Sequence, residues 1–346
     1  MRPKEIKNLI KKIYTLPPHQ RRPIFIWGPP GVGKSSIVKQ VCEELNIGFI
    51  DLRLALLEPV DLRGVPFIKK DSENGEKTVF WARPVFLPSE GQGILFLDEV
   101  PAAPPAIQAT SYQLVFDRCV GEHKLGDGWY IVAAGNRETD AAVSYRVPSP
   151  LRNRFIHVEY ELTVDDWSEW AIPRGIHPHV IGFVNFRRDL LFNFNPNSAE
   201  RAFATPRTWE FVSDLLHAGV FDSETIGGCV GSGVAVEFLA YVKLQEKMPN
   251  IEDILNGNLE RLPQYDKTEM PGIQHSIIAS VCSKISEVKN NDKRKLMTDN
   301  AFRFAMDNFE PEFVVLAVKR LKIVYPNIQN CSTFPEFVKK YKEVVL

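Results

Sequence analysis

The chain has 346 residues, 44% of them hydrophobic and 25% charged, which is ordinary for a globular protein with room for two or three domains. Its 42 basic and 43 acidic side chains leave a formal charge of −1, so no global field draws it to nucleic acid or to an anionic membrane. Its longest apolar runs, such as 94–97 and 313–318, fall far short of the roughly 20 residues that a spanning helix needs, so no membrane insertion is expected.

The first 14 residues read as a basic amphipathic helix, with Ile6, Leu9, Ile10 and Ile13 on one face. They lack the apolar centre and cleavage site of a signal peptide, so a cytoplasmic location is expected. The cysteines 42, 119, 229, 282 and 331 form no CxxC pair and suit a reducing compartment. His177 and His179 form an HPH pair without ligands at metal spacing and are expected in a surface turn.

From residue 20 to 160, short apolar strands (23–27, 48–52, 93–98, 130–134, 155–160) alternate with helical stretches, 34–45 and 106–118 being the clearest. Runs such as ILFLD and YIVAAG are apolar on both faces, as strands covered on each side must be. The expected fold is α/β: a parallel-sheet αβα sandwich followed by a helical region that runs to the C-terminus. The expected domains are a core over 1–162, a lid over 163–262 and an extension over 263–346. A β-insert is expected near 62–84, with strands 66–69 and 78–81 around a turn at 71–76, and a hairpin near 119–130 turning at Gly126-Asp127-Gly128. Beyond 162, Thr163 or Asp165 can cap the first of a series of helices, with others over 178–192, 206–217, 235–246, 250–255, 273–288 and 312–324.

Gly28-Pro29-Pro30-Gly31-Val32-Gly33-Lys34-Ser35 matches GxxxxGK[ST] between an apolar strand and a helix, with Ser36 next in the helix. Phosphate oxygens need many donors at close range, and glycines let the backbone turn its N–H groups inward. Lys34 is placed to reach the β- and γ-phosphates of ATP, and the Ser35 hydroxyl to ligate Mg²⁺. The strand Gly93–Asp98 delivers two carboxylates: Asp98 to hold Mg²⁺ through water, and Glu99 to activate the attacking water. Asn136 ends the next apolar strand, where its amide can stand beside the γ-phosphate and the attacking water, although asparagine is also a common turn former there. In Ser149-Pro150-Leu151-Arg152-Asn153-Arg154-Phe155, either arginine can neutralise charge developing on a neighbour's γ-phosphate.

Phosphate loop, LDE strand, strand-end asparagine and NRF arginine, in that order, resemble the plan of AAA+ ATPases. The resemblance implies a P-loop NTPase core followed by an α-helical lid and a helical C-terminal region, and ATP hydrolysis in an oligomeric ring of hexameric type, with Arg154 as the finger acting across a subunit boundary and Arg152 as second candidate. It also implies a lid arginine touching the γ-phosphate, matched here by Arg207 in Ala204-Thr205-Pro206-Arg207-Thr208-Trp209. Asp61-Leu62-Arg63-Gly64, the β-insert and Phe80-Trp81-Ala82-Arg83-Pro84 are similar to the MoxR-type branch, whose members remodel or activate proteins, often with a von Willebrand A-domain partner. Phe67, Phe80 and Trp81 are then candidate client contacts. Val100-Pro101-Ala102-Ala103 departs from that branch's polar stretch, and the chain past 262 matches none of its motifs. A helicase- or clamp-loader-type nucleic-acid motor shares these ATPase parts, and Lys69, Lys70 and Lys77 keep it open. A P-loop small-molecule kinase is disfavoured by the paired Asp98-Glu99.

Overall fold

The computed structural model describes residues 1–70, 77–140, 145–195, 200–244, 248–258 and 271–345. They divide into two compact units, Met1–Leu162 and Thr163–Leu346. The boundary expected near 262 and the insert turn at 71–76 fall outside the described residues.

The first unit begins with α1 (Pro3–Tyr14), which buries Ile6, Ile10 and Ile13. Five parallel strands follow in the spatial order β2-β5-β8-β1-β9: β1 Ile24–Trp27, β2 Gly48–Arg53, β5 Gly93–Asp98, β8 Trp129–Gly135 and β9 Ile156–Glu159. The central strands are buried along their lengths, as a sheet covered on both faces requires. One covering element is α2 (Lys34–Leu45), which buries Ile37, Val38 and Val41. Around the other helices, Phe25, Leu95, Leu97 and Ile131 of the sheet form a core with Leu62 of α3 (Pro59–Arg63), Ile107 and Leu114 of α4 (Pro105–Asp117), and Leu151 of α5 (Ser149–Arg152).

The insert is an antiparallel hairpin, β3 (Pro66–Lys70) with β4 (Lys77–Trp81), in which Phe67 faces Phe80 and Ile68 faces Val79. It is launched by the single-turn α3, which Gly64 ends at φ +83°. A Cβ there would lie 1.9 Å from the carbonyl oxygen of Ala82, so only glycine lets the two legs of the insert pair at their base.

The second hairpin, β6 (Cys119–Val120) with β7 (His123–Lys124), is shorter than expected and turns at Gly121-Glu122, not at 126–128. Gly126 and Gly128 instead lie against the backbone of Ser89 and Gly91, where a Cβ would stand 2.6 and 2.0 Å from a carbonyl oxygen. Those glycines serve close chain approach. The two hairpins are tied: Trp81 N–H donates to Glu122 (3.3 Å), the His123 Nε2 meets the Trp81 carbonyl at 2.8 Å, and Arg83 donates to the carbonyls of Leu87 and Lys124.

The second unit is helical: α6 Val164–Ala171, α7 Pro178–Phe186, α8 Pro206–His217, α9 Ser223–Val230, α10 Ser232–Leu244, α11 Ile251–Asn256, α12 Pro271–Glu287, α13 Asn291–Asn308, α14 Pro311–Val324 and α15 Phe334–Val345. Thr163, not Asp165, is the cap of α6, accepting from Asp166 N–H at 3.1 Å. Asp165 instead receives Arg320, which is buried to 4% exposure and also bonds Asn185, so the guanidinium is both paired and hydrogen-bonded. The helix expected over 178–192 stops at Phe186 and gives way to a 3-10 turn at Arg188–Leu191. His177 is not a loose surface turn. It caps α7 by accepting from His179 N–H at 3.2 Å and packs against the rings of His179 and His217, and its burial holds its pKa down at about 4.

Candidate active site

The loop 28–33 leaves the buried strand β1 and enters α2 through two left-handed glycines, Gly31 at φ +76° and Gly33 at +97°. Gly33 is the N-cap and has no side chain to satisfy the first-turn amides, so those donors and the helix dipole face the loop. Lys34 is the first helical residue and is buried to 8% exposure. Its ammonium donates to the carbonyls of Gly28 (2.6 Å) and Pro29 (2.8 Å), and to Oδ1 of Asn136 (2.8 Å).

That last bond joins two residues 102 positions apart. The strand order explains it: β8 lies between β5 and β1, and all three are parallel. The C-terminal ends of these neighbours therefore carry Asp98, Asn136 and the phosphate loop on one sheet edge, where ligands bind in open α/β sheets.

Asp98 is partly buried, and its Oδ1 accepts from Glu99 N–H at 2.9 Å. Burial raises its pKa above the ordinary aspartate value and Asp51 on β2 pushes the same way, while the Glu99 amide and Lys34 oppose the shift. Since only the carboxylate holds a cation, a raised pKa means that this hold weakens at a higher pH than for an ordinary aspartate as pH falls. Glu99 is exposed and left-handed (φ +56°, ψ +33°), a conformation unfavourable for any residue with a Cβ. Held strain of this kind concentrates at functional sites. Here it turns two consecutive carboxylates apart, Asp98 inward and Glu99 to solvent. The donor set of Ser35, partly buried beside Lys34, and Asp98 consists of hard oxygens, which fits Mg²⁺. Ser36 is exposed on α2.

Beyond Asn136, Arg137 folds back on the buried Asp140: its backbone N–H, Nε and Nη2 all donate to that carboxylate at 2.9–3.2 Å. This clamp fixes the loop that carries Asn136, and the strand-turn pattern alone did not reveal it. Arg152 is exposed at the end of α5 and lines a surface pocket with Trp27, Arg137, Tyr145 and Glu159. Arg154 is partly buried, and its guanidinium lies over the ring of Phe116 and bonds the Tyr112 hydroxyl, both on α4. Arg207 belongs to the second unit, exposed in the first turn of α8, whose N-cap Thr205 accepts from Thr208 N–H at 3.1 Å. A cation at a helix N-terminus opposes the dipole, which suits a side chain kept for an anion.

Residues 24–160 match the profile of the ATPase family associated with various cellular activities (AAA). A 97-residue stretch is 33% identical to the replication factor C large subunit of Ignicoccus hospitalis, covering 28% of this chain, which thus spans 18% of the length of that curated relative. Among solved structures, NtrX from Brucella abortus is similar at 14% identity and a TM-score of 0.39, over 99% of this chain and 67% of that one. The Thermotoga maritima RuvB Holliday junction branch migration motor is similar at 16% identity and 0.38, over 86% and 87%. Likenesses this distant bear on no functional detail. Among the described residues no helix is long and apolar enough to cross a membrane. With its strand order, phosphate loop and strand-end carboxylates, the segment 24–160, which matches that profile, has the AAA+ P-loop NTPase fold.

Proposed function

We propose that this chain hydrolyses ATP within a ring of its own copies and uses the cycle to remodel or activate a protein client, as a MoxR-like AAA+ ATPase. Lys34 and the first-turn amides of α2 hold the β- and γ-phosphates, and Ser35 and Asp98 hold Mg²⁺, which supplies charge neutralisation at the phosphates. Glu99 takes the proton of the attacking water. Asn136, kept beside Lys34, orients that water against the γ-phosphate. Arg154 of a neighbouring copy neutralises the charge that develops in transfer, and Arg152 is the second candidate for that role. Arg207 is the lid arginine.

The observation that carries the protein-client reading is the β3–β4 hairpin. Val65 (65% exposed), Phe67 (51%), Ile68 (68%) and Val79 (55%) leave both its faces apolar and open. An open apolar patch of this kind supports the reading of a protein-binding surface. Nucleic-acid interfaces are far more polar and basic. The tie between the two hairpins through Trp81, Glu122 and His123 lets them act on a client together. The resemblance to MoxR-type ATPases adds a von Willebrand A-domain protein as the expected partner.

A nucleic-acid motor is the second reading, favoured by the stretch shared with the replication factor C large subunit and by Lys69, Lys70 and Lys77 at the far end of the hairpin. ATP turnover with duplex or forked DNA, and with the protein that a Glu99→Gln chain retains in ATP, separates the two. The client reading expects the retained protein to change turnover and DNA to leave it unaltered. Stimulation by DNA alone would replace it with the motor reading.

A further inference from the structure

Tyr112 and Phe116 are four residues apart on α4, one helical turn, and their rings stack at 6.0 Å. The Arg154 guanidinium carbon lies 3.9 Å from the centroid of Phe116 and 5.5 Å from that of Tyr112, and Nη2 donates to the Tyr112 hydroxyl at 2.9 Å. Phe116 is 52% exposed, so this aromatic shelf stands at the protein surface. The root of the arginine is fixed: Leu151 beside it is buried, Arg154 N–H bonds the Leu151 carbonyl at 3.1 Å, and Phe155 packs edge-on against Phe25 of β1. The long side chain beyond that root would otherwise sample many rotamers.

Resting on the assignment of Arg154 as a finger acting in trans, we propose that Tyr112 and Phe116 are positioning residues that hold its guanidinium ready for the triphosphate bound by a second copy of this chain. The hold is of the right kind. A ring face and one neutral hydroxyl keep the cation in place, while Nε, buried, has no hydrogen-bond partner among the described residues. Charge-assisted bonds to phosphate are stronger than either contact, so the arginine can be handed over when the neighbour presents ATP. The shelf also accounts for an exposed phenylalanine on α4, where the adjoining copy would cover it.

The test is steady-state ATP turnover by Tyr112→Phe, Phe116→Leu and Arg154→Ala chains, alone and in mixed assemblies. Each shelf variant is expected to lower kcat about 10-fold, with KM for ATP within about 2-fold of the parent, because orientation is lost while ATP binding is not. In mixtures where Arg154→Ala subunits supply intact ATP sites and Lys34→Ala subunits supply the arginine, Phe116→Leu should depress recovered activity when placed in the Lys34→Ala subunit. Placed in the Arg154→Ala subunit, whose arginine is already gone, it should add no further loss. Unchanged kcat in Tyr112→Phe, which removes one hydroxyl and leaves the ring, together with unchanged kcat in Phe116→Leu, would overturn the proposal. Equal loss from either subunit would also overturn it, by showing a merely structural cluster. Full turnover by Arg154→Ala would overturn the finger assignment itself.

Discussion

A Glu99→Gln chain will retain ATP and turn it over at least about 10²-fold more slowly than the parent, the lower end of what a positioned general base contributes. The substitution keeps the size and planarity of the side chain and removes only its capacity to take a proton. The backbone does not depend on the carboxylate: the left-handed turn at Glu99 is held through its N–H to Asp98 Oδ1 and through the Ala102 N–H to the Glu99 carbonyl at 2.9 Å. Lys34, Ser35 and Asp98 are untouched, so nucleotide affinity measured by equilibrium titration should match the parent while phosphate release in a single turnover collapses. Near-normal release would remove Glu99 from the role of base.

An Arg154→Ala chain will bind ATP normally yet hydrolyse it about 10³-fold more slowly, as expected when a finger that neutralises transferring charge is lost. The result that distinguishes it from an ordinary active-site defect comes from mixing. Lys34→Ala subunits bind no triphosphate productively but carry an intact Arg154, and Arg154→Ala subunits have the reverse lesion. Co-assembled, they form some interfaces in which both halves are sound, and turnover should rise above that of either variant alone. Arg152→Ala is the control for the neighbouring candidate, exposed on the pocket wall with Trp27 and Tyr145. If the two lesions co-assemble and no ratio restores activity, a cation acting between copies loses its support.

Much of the ATPase half was legible because its chemistry demands fixed spacing. The glycine pattern before Lys34 permits the left-handed turns at Gly31 and Gly33 that lead into the helix, and α2 begins at Lys34 as expected and ends at Leu45. The apolar run that must be covered on both faces sits at Gly93–Asp98 as β5. Less was legible where a residue's partner is distant in the chain. Asn136 could be proposed from its place after a strand, but its bond to Lys34 follows from β8 lying beside β1, a pairing that strand patterns do not encode. Asp51 acts on Asp98 for the same reason, through the β2–β5 neighbourhood.

The second hairpin was misplaced because Gly126-Asp127-Gly128 is the stronger local turn signal. The structure uses those glycines for close backbone approach and turns directly after Val120, at Gly121-Glu122, with Gly121 at φ +56°. Tyr112 and Phe116 did carry a signal, their spacing of four on a helix. Its meaning depends on Arg154, 42 residues from Tyr112 along the chain.

In the proposed ring, one copy grips the triphosphate and another completes the site. The most direct test of that arrangement is turnover per subunit, followed by dilution in saturating ATP while the mass of the species is measured at the same concentrations. The expected result is a closed oligomer whose activity per subunit falls as dilution separates the copies. A monomeric species turning over at the undiminished rate would contradict it.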